Sequence, residues 1–239
     1  MRYSVIIPAY NEEKLLPSTL NAINRIVEAL RGEHSGEVIV VDNNSTDSTA
    51  EIAENFGAEV VFAERNCIAV ARNAGASAAK GEILIFVDAD TIPPKELIAS
   101  TLNLAARGDC CGGGALIEFD RDDIPLPLRV FKWMWETHAS ISPMAAGSYV
   151  FCLKKAWEET GGFDESVYAS EEVWFSLALR KWGRKRGMKF KIIDIPVVTS
   201  ARKLEQYSLL RLLSVGLILT VFPWGVRNKN LCRVWYERD

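Results

Sequence analysis

Between residues 4 and 87 the chain passes through four short apolar runs, Ser4 to Pro8, Val38 to Val41, Glu59 to Ala63 and Ile83 to Val87, separated by stretches of helical period. Runs this short suit buried strands better than buried helices. Their alternation with helical stretches is the pattern of a parallel sheet covered by helices on its faces, a doubly wound α/β unit. Each run is too apolar to be half exposed and is expected inside the sheet. Helices are expected over Glu13 to Leu30, Ser48 to Phe56 and Ala69 to Lys80. For the second of these, Thr46, Asp47 and Ser48 can each cap, and Glu51 stands where a capping box with Ser48 would place it.

Beyond Asp90, Pro93 and Pro94 open a helix to about Arg107, and a strand is expected from Cys111 to Phe119. Asp120 to Pro143 combines charge, prolines and the aromatic group Phe131, Trp133 and Trp135, and reads as an inserted loop-helix region. A strand over Tyr149 to Leu153, helices over Lys154 to Thr160 and Glu171 to Trp182, and a strand over Lys189 to Ile193 complete the pattern. A chain of 239 residues, 49% of them hydrophobic, can bury the core of one good-sized domain but hardly two. The expected organisation is one α/β domain over residues 1–203, a three-layer sandwich around a mostly parallel sheet, with an apolar helical extension over 204–239.

A net charge of -3 provides no electrostatic footprint for nucleic acid. Cys67, Cys110, Cys111, Cys152 and Cys232 are odd in number and form no Cys-x-x-Cys pair, which reads as reduced thiols rather than a disulfide framework or zinc site. The chain enters a strand-like run directly after Met1-Arg2-Tyr3. The expectation is therefore a cytosolic protein.

The chemistry is concentrated where strands end. Asp88 and Asp90 follow Ile83-Leu84-Ile85-Phe86-Val87, so a buried strand delivers two carboxylates to the carboxyl edge of the sheet, where open α/β sheets bind ligands. Two hard oxygen donors at this separation suit Mg²⁺ or Mn²⁺ carrying diphosphate oxygens, although a polar turn is the plainer reading of Asp-x-Asp alone. Asp42 ends the second strand and can accept hydrogen bonds from a nucleobase. Asp42 and Asp47 can equally shape the turn and cap the next helix. In Ile7-Pro8-Ala9-Tyr10-Asn11-Glu12-Glu13, Pro8 stops the ladder, Tyr10 offers an aromatic face and Glu12 a carboxylate, an arrangement suited to a base and ribose.

Five motifs in order carry a resemblance. They are Val5 to Glu12, Val40 to Asp47, Ala71-Arg72-Asn73-Ala74-Gly75, Val87-Asp88-Ala89-Asp90, and Gly161-Gly162-Phe163-Asp164-Glu165 followed by Glu171-Glu172. The chain resembles family 2 of the glycosyltransferases, inverting enzymes of the GT-A fold, over roughly residues 3 to 200. The resemblance implies a metal-dependent transferase that moves a sugar from a nucleotide diphosphate donor, a UDP-sugar by first choice, to an acceptor hydroxyl. Pro8, Ala9, Tyr10, Glu12 and Asp42 would line the nucleoside pocket. Asp88 would reach the ribose side, Ala89 would lie between the two acids, and Asp90 would take the metal. Arg72 would lie near the nucleotide, its alternative being an arginine paired with a nearby acid.

In the same family the general base stands at Glu171-Glu172, usually as Glu-Asp, whereas acids at a helix start are also favoured by the macrodipole alone. Successive helical residues point roughly 100° apart, so the two cannot both face the donor; Glu172 is the expected base and Glu171 the alternative. Arg202, in Thr199-Ser200-Ala201-Arg202-Lys203, is the candidate in a segment expected to fold over the donor diphosphate. His34 and His138 lack metal-ligand spacing.

Leu212 to Val226 is fifteen uncharged residues broken by Pro223, short for a membrane span and followed by Arg227, Lys229 and Arg233. It reads as an interfacial helix on the cytoplasmic face of a membrane, which a lipid-linked acceptor would match, or as a helix buried in a homodimer or domain core. Two other functions fit some of these features. A sugar-phosphate nucleotidyltransferase lacks its glycine-rich basic loop here, and a catalytically inactive nucleotide-sugar binding protein is suggested by Glu-Glu replacing Glu-Asp.

Overall fold

The computed structural model describes residues 1–121, 123–126, 129, 143–202, 223–233 and 236. Its strands are β1 (Arg2–Ala9), β2 (Ser35–Asp42), β3 (Glu59–Phe62), β4 (Ile83–Val87), β5 (Thr91–Ile92), β6 (Cys110–Phe119), β7 (Tyr149–Leu153) and β8 (Lys189–Thr199). They form one sheet in the order β3-β2-β1-β4-β7-β6-β8-β5. The pairs β1–β2, β1–β4, β2–β3 and β6–β8 are parallel, while β7 runs antiparallel between β4 and β6, and β5 runs antiparallel to β8.

Helices α1 (Leu16–Leu30), α2 (Thr49–Asn55), α3 (Ile68–Ala78), α4 (Lys95–Ala106), α5 (Lys154–Thr160) and α6 (Glu171–Arg184) cover the sheet. Side chains alternate across a strand, so Val5, Ile7, Ile83 and Ile85 pack with Leu16 and Leu20 of α1 and Leu97 and Leu102 of α4. Ile6, Leu84 and Phe86 turn to the other face and pack with Ala71 and Ala76 of α3 and Phe175 and Leu179 of α6. Two cores, one on each face, make the three-layer α/β architecture expected.

Helix α3 lies close on the sheet at Gly75, where a Cβ would overlap methyl groups of Ile6 and Val41. Gly75→Ala gains about 1 kcal/mol of helix propensity but overpacks a two-strand contact, which costs about 1–3 kcal/mol. The expected result is a net loss of stability of about 1 kcal/mol with an unchanged denaturant m-value. A variant as stable as the parent would show that the helix has room to lift.

Three expectations are corrected. The run Glu59 to Ala63 forms an edge strand, paired with β2 alone, and Phe62 is 61% exposed. Apolar composition did not mark this position because an edge strand can carry the same β-branched residues as a central one. The capping box is absent: Ser48 makes no side-chain cap, and Asp47 Oδ1 instead accepts the Thr49 N–H at 3.0 Å.

The last strand does not stop at Ile193. It passes Pro196 to Thr199, with a shift of register between Ala115 and Ile117 of β6 that carries the ladder from Ile193 to Val197. A bulge lets the strand skip a residue that has no N–H to donate. The continuation pairs Val198 and Thr199 with β5, immediately after Asp90.

The group Phe131, Trp133 and Trp135, His138 and the apolar run over 212–222 lie outside the described residues. Among the described residues no helix is long and apolar enough to cross a membrane.

Candidate active site

Because β1 and β4 are parallel neighbours, Pro8-Ala9-Tyr10 and Asp88-Ala89-Asp90 leave the sheet at the same edge. The N-termini of α3 and α6 reach the same place from one face, and the turn after β8 arrives from the other side. The pocket between them is lined by Pro8, Ala9, Tyr10, Glu12, Arg72, Asp88, Ala89, Asp90, Glu171, Glu172 and Arg202. These are all the expected site residues except Asp42. That carboxylate is buried and accepts the Ser45 N–H at 3.0 Å, shaping the turn after β2.

Asn43 lines the pocket in its place, with its amide donating to the Ala63 and Arg65 carbonyls at 3.1 and 2.7 Å and its oxygen accepting the Cys67 N–H at 2.9 Å. The neighbouring residue was visible in the same motif, but only the paired strands show which of the two turns inward.

Arg72 is 2% exposed and directs its guanidinium to protein acceptors. Nη1 donates to Glu171 Oε1 at 2.8 Å, and Nη2 donates to Asp88 Oδ1 at 2.9 Å and to the Gly147 carbonyl at 2.8 Å. Burial disfavours the Arg72 charge, but Glu171, Asp88 and Glu172 around it outweigh burial and hold its proton more firmly. The residue expected beside the nucleotide therefore orders acids from two separate elements.

Glu171, 4% exposed, is committed to this pair. Glu172 lies on the pocket wall, and its carboxyl is pushed up to about 8, by burial first and by the Glu171 charge second, with Arg72 opposing both. Ser170, just before the pair, holds φ of 59°. A left-handed serine at a helix N-cap is a strained conformation of the kind that collects at functional sites.

Arg202 spans the other half of the pocket. Its Nη1 donates to Glu12 Oε2 at 2.6 Å, its Nη2 donates to Glu12 Oε1, and Nη2 stands 3.0 Å from Asp90 Oδ2. The short β5–β8 pair explains this reach, since the Ser200 N–H donates to the Asp90 carbonyl at 3.1 Å and so sets the arginine over the acid.

Five carboxyl groups and two guanidiniums line the pocket, and even with Glu172 protonated the excess of negative charge by itself repels a diphosphate. The donor set fits a hard divalent cation, which takes one or two carboxylates and completes its shell with phosphate oxygens and water. Asp88 and Asp90 are the carboxylates expected to do so, and in this structure they pair with Arg72 and Arg202. Among the described residues Asn66 Oδ1 and Arg202 Nε, both from pocket-lining residues, are buried and find no partner, which suits a polar ligand.

Residues that the sequence reading missed are Asn43, Asn66, Ile68, Gly147, Ser148, Ser170 and Tyr236. His34 is not among the lining residues.

The sequence profile of glycosyl transferase family 2 matches residues 4–152. An uncharacterized glycosyltransferase of Bacillus subtilis, YfnE, is 39% identical over 104 residues, 41% of this chain and 26% of that protein. The undecaprenyl-phosphate 4-deoxy-4-formamido-L-arabinose transferase of an Enterobacter species is 26% identical over 90% of this chain and 65% of that protein. The chain thus spans from about a quarter to somewhat under two thirds of these relatives' length. The mannosyltransferase PcManGT of Pyrobaculum calidifontis, solved with GDP-Man and Mn²⁺, superposes with a TM-score of 0.71 at 21% identity, over 98% of this chain and 68% of that one.

Proposed function

Because the chain belongs to glycosyl transferase family 2 and has the GT-A fold, we propose that it transfers a sugar from a nucleotide diphosphate donor to an acceptor hydroxyl with inversion. The observation that carries this reading is Glu172, a pocket carboxyl raised to about 8 beside acids at the end of a central strand. Such a group is matched to accepting a proton near neutral pH. A hydroxyl must lose its proton as it attacks, whereas a phosphate acceptor arrives ionised, so a built proton acceptor favours the hydroxyl.

Pro8, Ala9 and Tyr10 would hold the base and ribose, with Asn66 Oδ1 available to a base N–H. Glu12 holds Arg202 where its guanidinium can meet the diphosphate. Glu172 takes the proton as the acceptor oxygen bonds to the anomeric carbon and the bond from that carbon to the diphosphate oxygen breaks. A single displacement inverts the centre without a covalent intermediate, so rate comes from positioning and electrostatics. Mn²⁺ or Mg²⁺ on Asp90 and Asp88 would supply charge neutralisation for the leaving diphosphate.

A lipid-linked acceptor presented at the cytoplasmic face of a membrane is a finer part of the same reading. It is supported by α6, where exposed Trp174 and Leu177 share the helix with exposed Lys181 and Arg184. Sedimentation with anionic vesicles reads this out.

The test of the donor site is calorimetric titration with UDP and with GDP, each with and without Mn²⁺. Binding of one nucleotide that strengthens at least about tenfold with Mn²⁺ is expected, with a uridine donor the first choice. No binding to either nucleotide would remove the transferase reading, and metal-independent binding without any turnover would favour a nucleotide-sugar binding protein.

A further inference from the structure

The C-terminal segment returns to the pocket. After the 3₁₀ turn Pro223–Arg227, the Val226 carbonyl accepts the Tyr168 N–H at 2.6 Å, and Cys232 and Tyr236 bury themselves against Ala169, Ile68 and Tyr168 in a small core of their own. The Tyr168 and Tyr236 rings meet edge to face at 5.9 Å, and the Lys229 ammonium lies 5.9 and 5.3 Å from their centroids.

Tyr236 itself lines the pocket and joins two of its walls through one oxygen. The phenol donates to the Tyr168 carbonyl at 2.8 Å and accepts the Ile68 N–H at 3.4 Å. Ile68 is the first residue of α3, whose N-cap, Cys67, provides no side-chain cap, so the tail supplies an acceptor for one of the N–H groups a helix start leaves unpaired. One turn further along α3 is Arg72. On the other side, Tyr168 is followed by Ala169 and the strained Ser170, and then by Glu171 and Glu172.

We propose that the C-terminal segment is part of the active site and that Tyr236 is a positioning residue, tying the start of α3 to the turn before α6 so that Arg72, Glu171 and Glu172 keep one geometry. The proposal rests on the reading of this pocket as the transfer site. Burial, with the nearby Cys67 and Glu171, keeps the Tyr236 phenol neutral well beyond its ordinary range, so it can donate and accept at once. The two hydrogen bonds of this oxygen end on Tyr168 and Ile68 and not on Pro8, Ala9 or Tyr10, the residues proposed to hold the nucleoside, so the effects on binding and on turnover are separable.

The test is Tyr236→Phe in the full chain, which keeps the ring and removes both hydrogen bonds. Nucleotide release from UDP-GlcNAc or GDP-Man, with water as acceptor, is measured beside calorimetric binding of UDP and GDP with Mn²⁺, and beside amide exchange over residues 68–72 and 168–173. The expected result is a fall in kcat on the order of tenfold, with donor KM and nucleotide Kd changed by less than about twofold, and faster exchange in both segments. Unchanged kcat in the folded variant overturns the proposal. So does a loss of nucleotide affinity in proportion to rate, which would make Tyr236 a donor-binding residue. If the parent protein releases no nucleotide from any donor, the transferase reading fails, and the exchange arm still decides the tie: unchanged exchange refutes it.

Discussion

Glu172→Gln is expected to lower sugar transfer, or donor hydrolysis by water, on the order of 1000-fold while nucleotide affinity changes less than about twofold. The amide preserves shape and removes the proton acceptor, so the loss falls on kcat. In the parent protein, kcat/KM reports the free enzyme's base and is expected to rise with pH to a plateau above about 8, because Glu172 must be ionised to act and its carboxyl is held near that value.

The same shift sets an opposite effect on stability. A carboxyl raised from its ordinary 4.5 to about 8 binds its proton more tightly in the folded state than in the unfolded state. Its contribution to stability is complete below about pH 4.5 and is lost progressively as pH rises through about 8. In the nucleotide-free and metal-free protein at pH 8, Glu172→Gln is therefore expected to be more stable by on the order of 1 kcal/mol. Glu171→Ala is expected to do the reverse and to cost about 3 kcal/mol, because it leaves the buried Arg72 charge without its nearer partner. Urea unfolding of the two variants separates their roles. Full activity in Glu172→Gln, or the same sign of stability change in both, would remove Glu172 from the role of base.

Asp90→Ala is expected to abolish the Mn²⁺-dependent part of nucleotide binding, a loss on the order of 100-fold or about 3 kcal/mol. Two opposed effects are separated by the metal. Without it, Arg202 stays on Glu12 and the pocket has one carboxylate fewer, so weak nucleotide binding should hold or improve slightly. With it, the hard ligand is gone and the excess of negative charge is no longer neutralised. Calorimetry with and without Mn²⁺ checks both, and Mn²⁺ titration followed by electron paramagnetic resonance reports the ion directly. Equal Mn²⁺-dependent affinity in the parent and the variant would exclude Asp90 as a ligand.

The architecture and much of the site follow from short-range features that a sequence displays directly. An apolar run is committed to burial wherever it occurs. A carboxylate at its carboxyl end is carried to the sheet edge with it, which is why Asp88 and Asp90 were legible, and with them the pocket side of Pro8, Ala9, Tyr10 and Glu12. Central and edge strands are less distinct, as Glu59–Phe62 shows, and β8 runs past its expected end at Ile193 because a bulge absorbs the proline that a regular ladder cannot.

What only the tertiary structure decided is who pairs with whom. Arg72 meets Glu171 from 99 residues away, Arg202 meets Glu12 from 190, and Tyr236 meets Ile68 from 168. No local pattern encodes such pairs, since each depends on how strands from distant parts of the chain are ordered in the sheet. By itself the sequence determined that acids would stand at the carboxyl edge of a doubly wound sheet. The packing of α3, α6 and the C-terminal segment around that edge decided which acid is neutralised by an arginine and which keeps a proton, because burial and a neighbouring charge are properties of position in space.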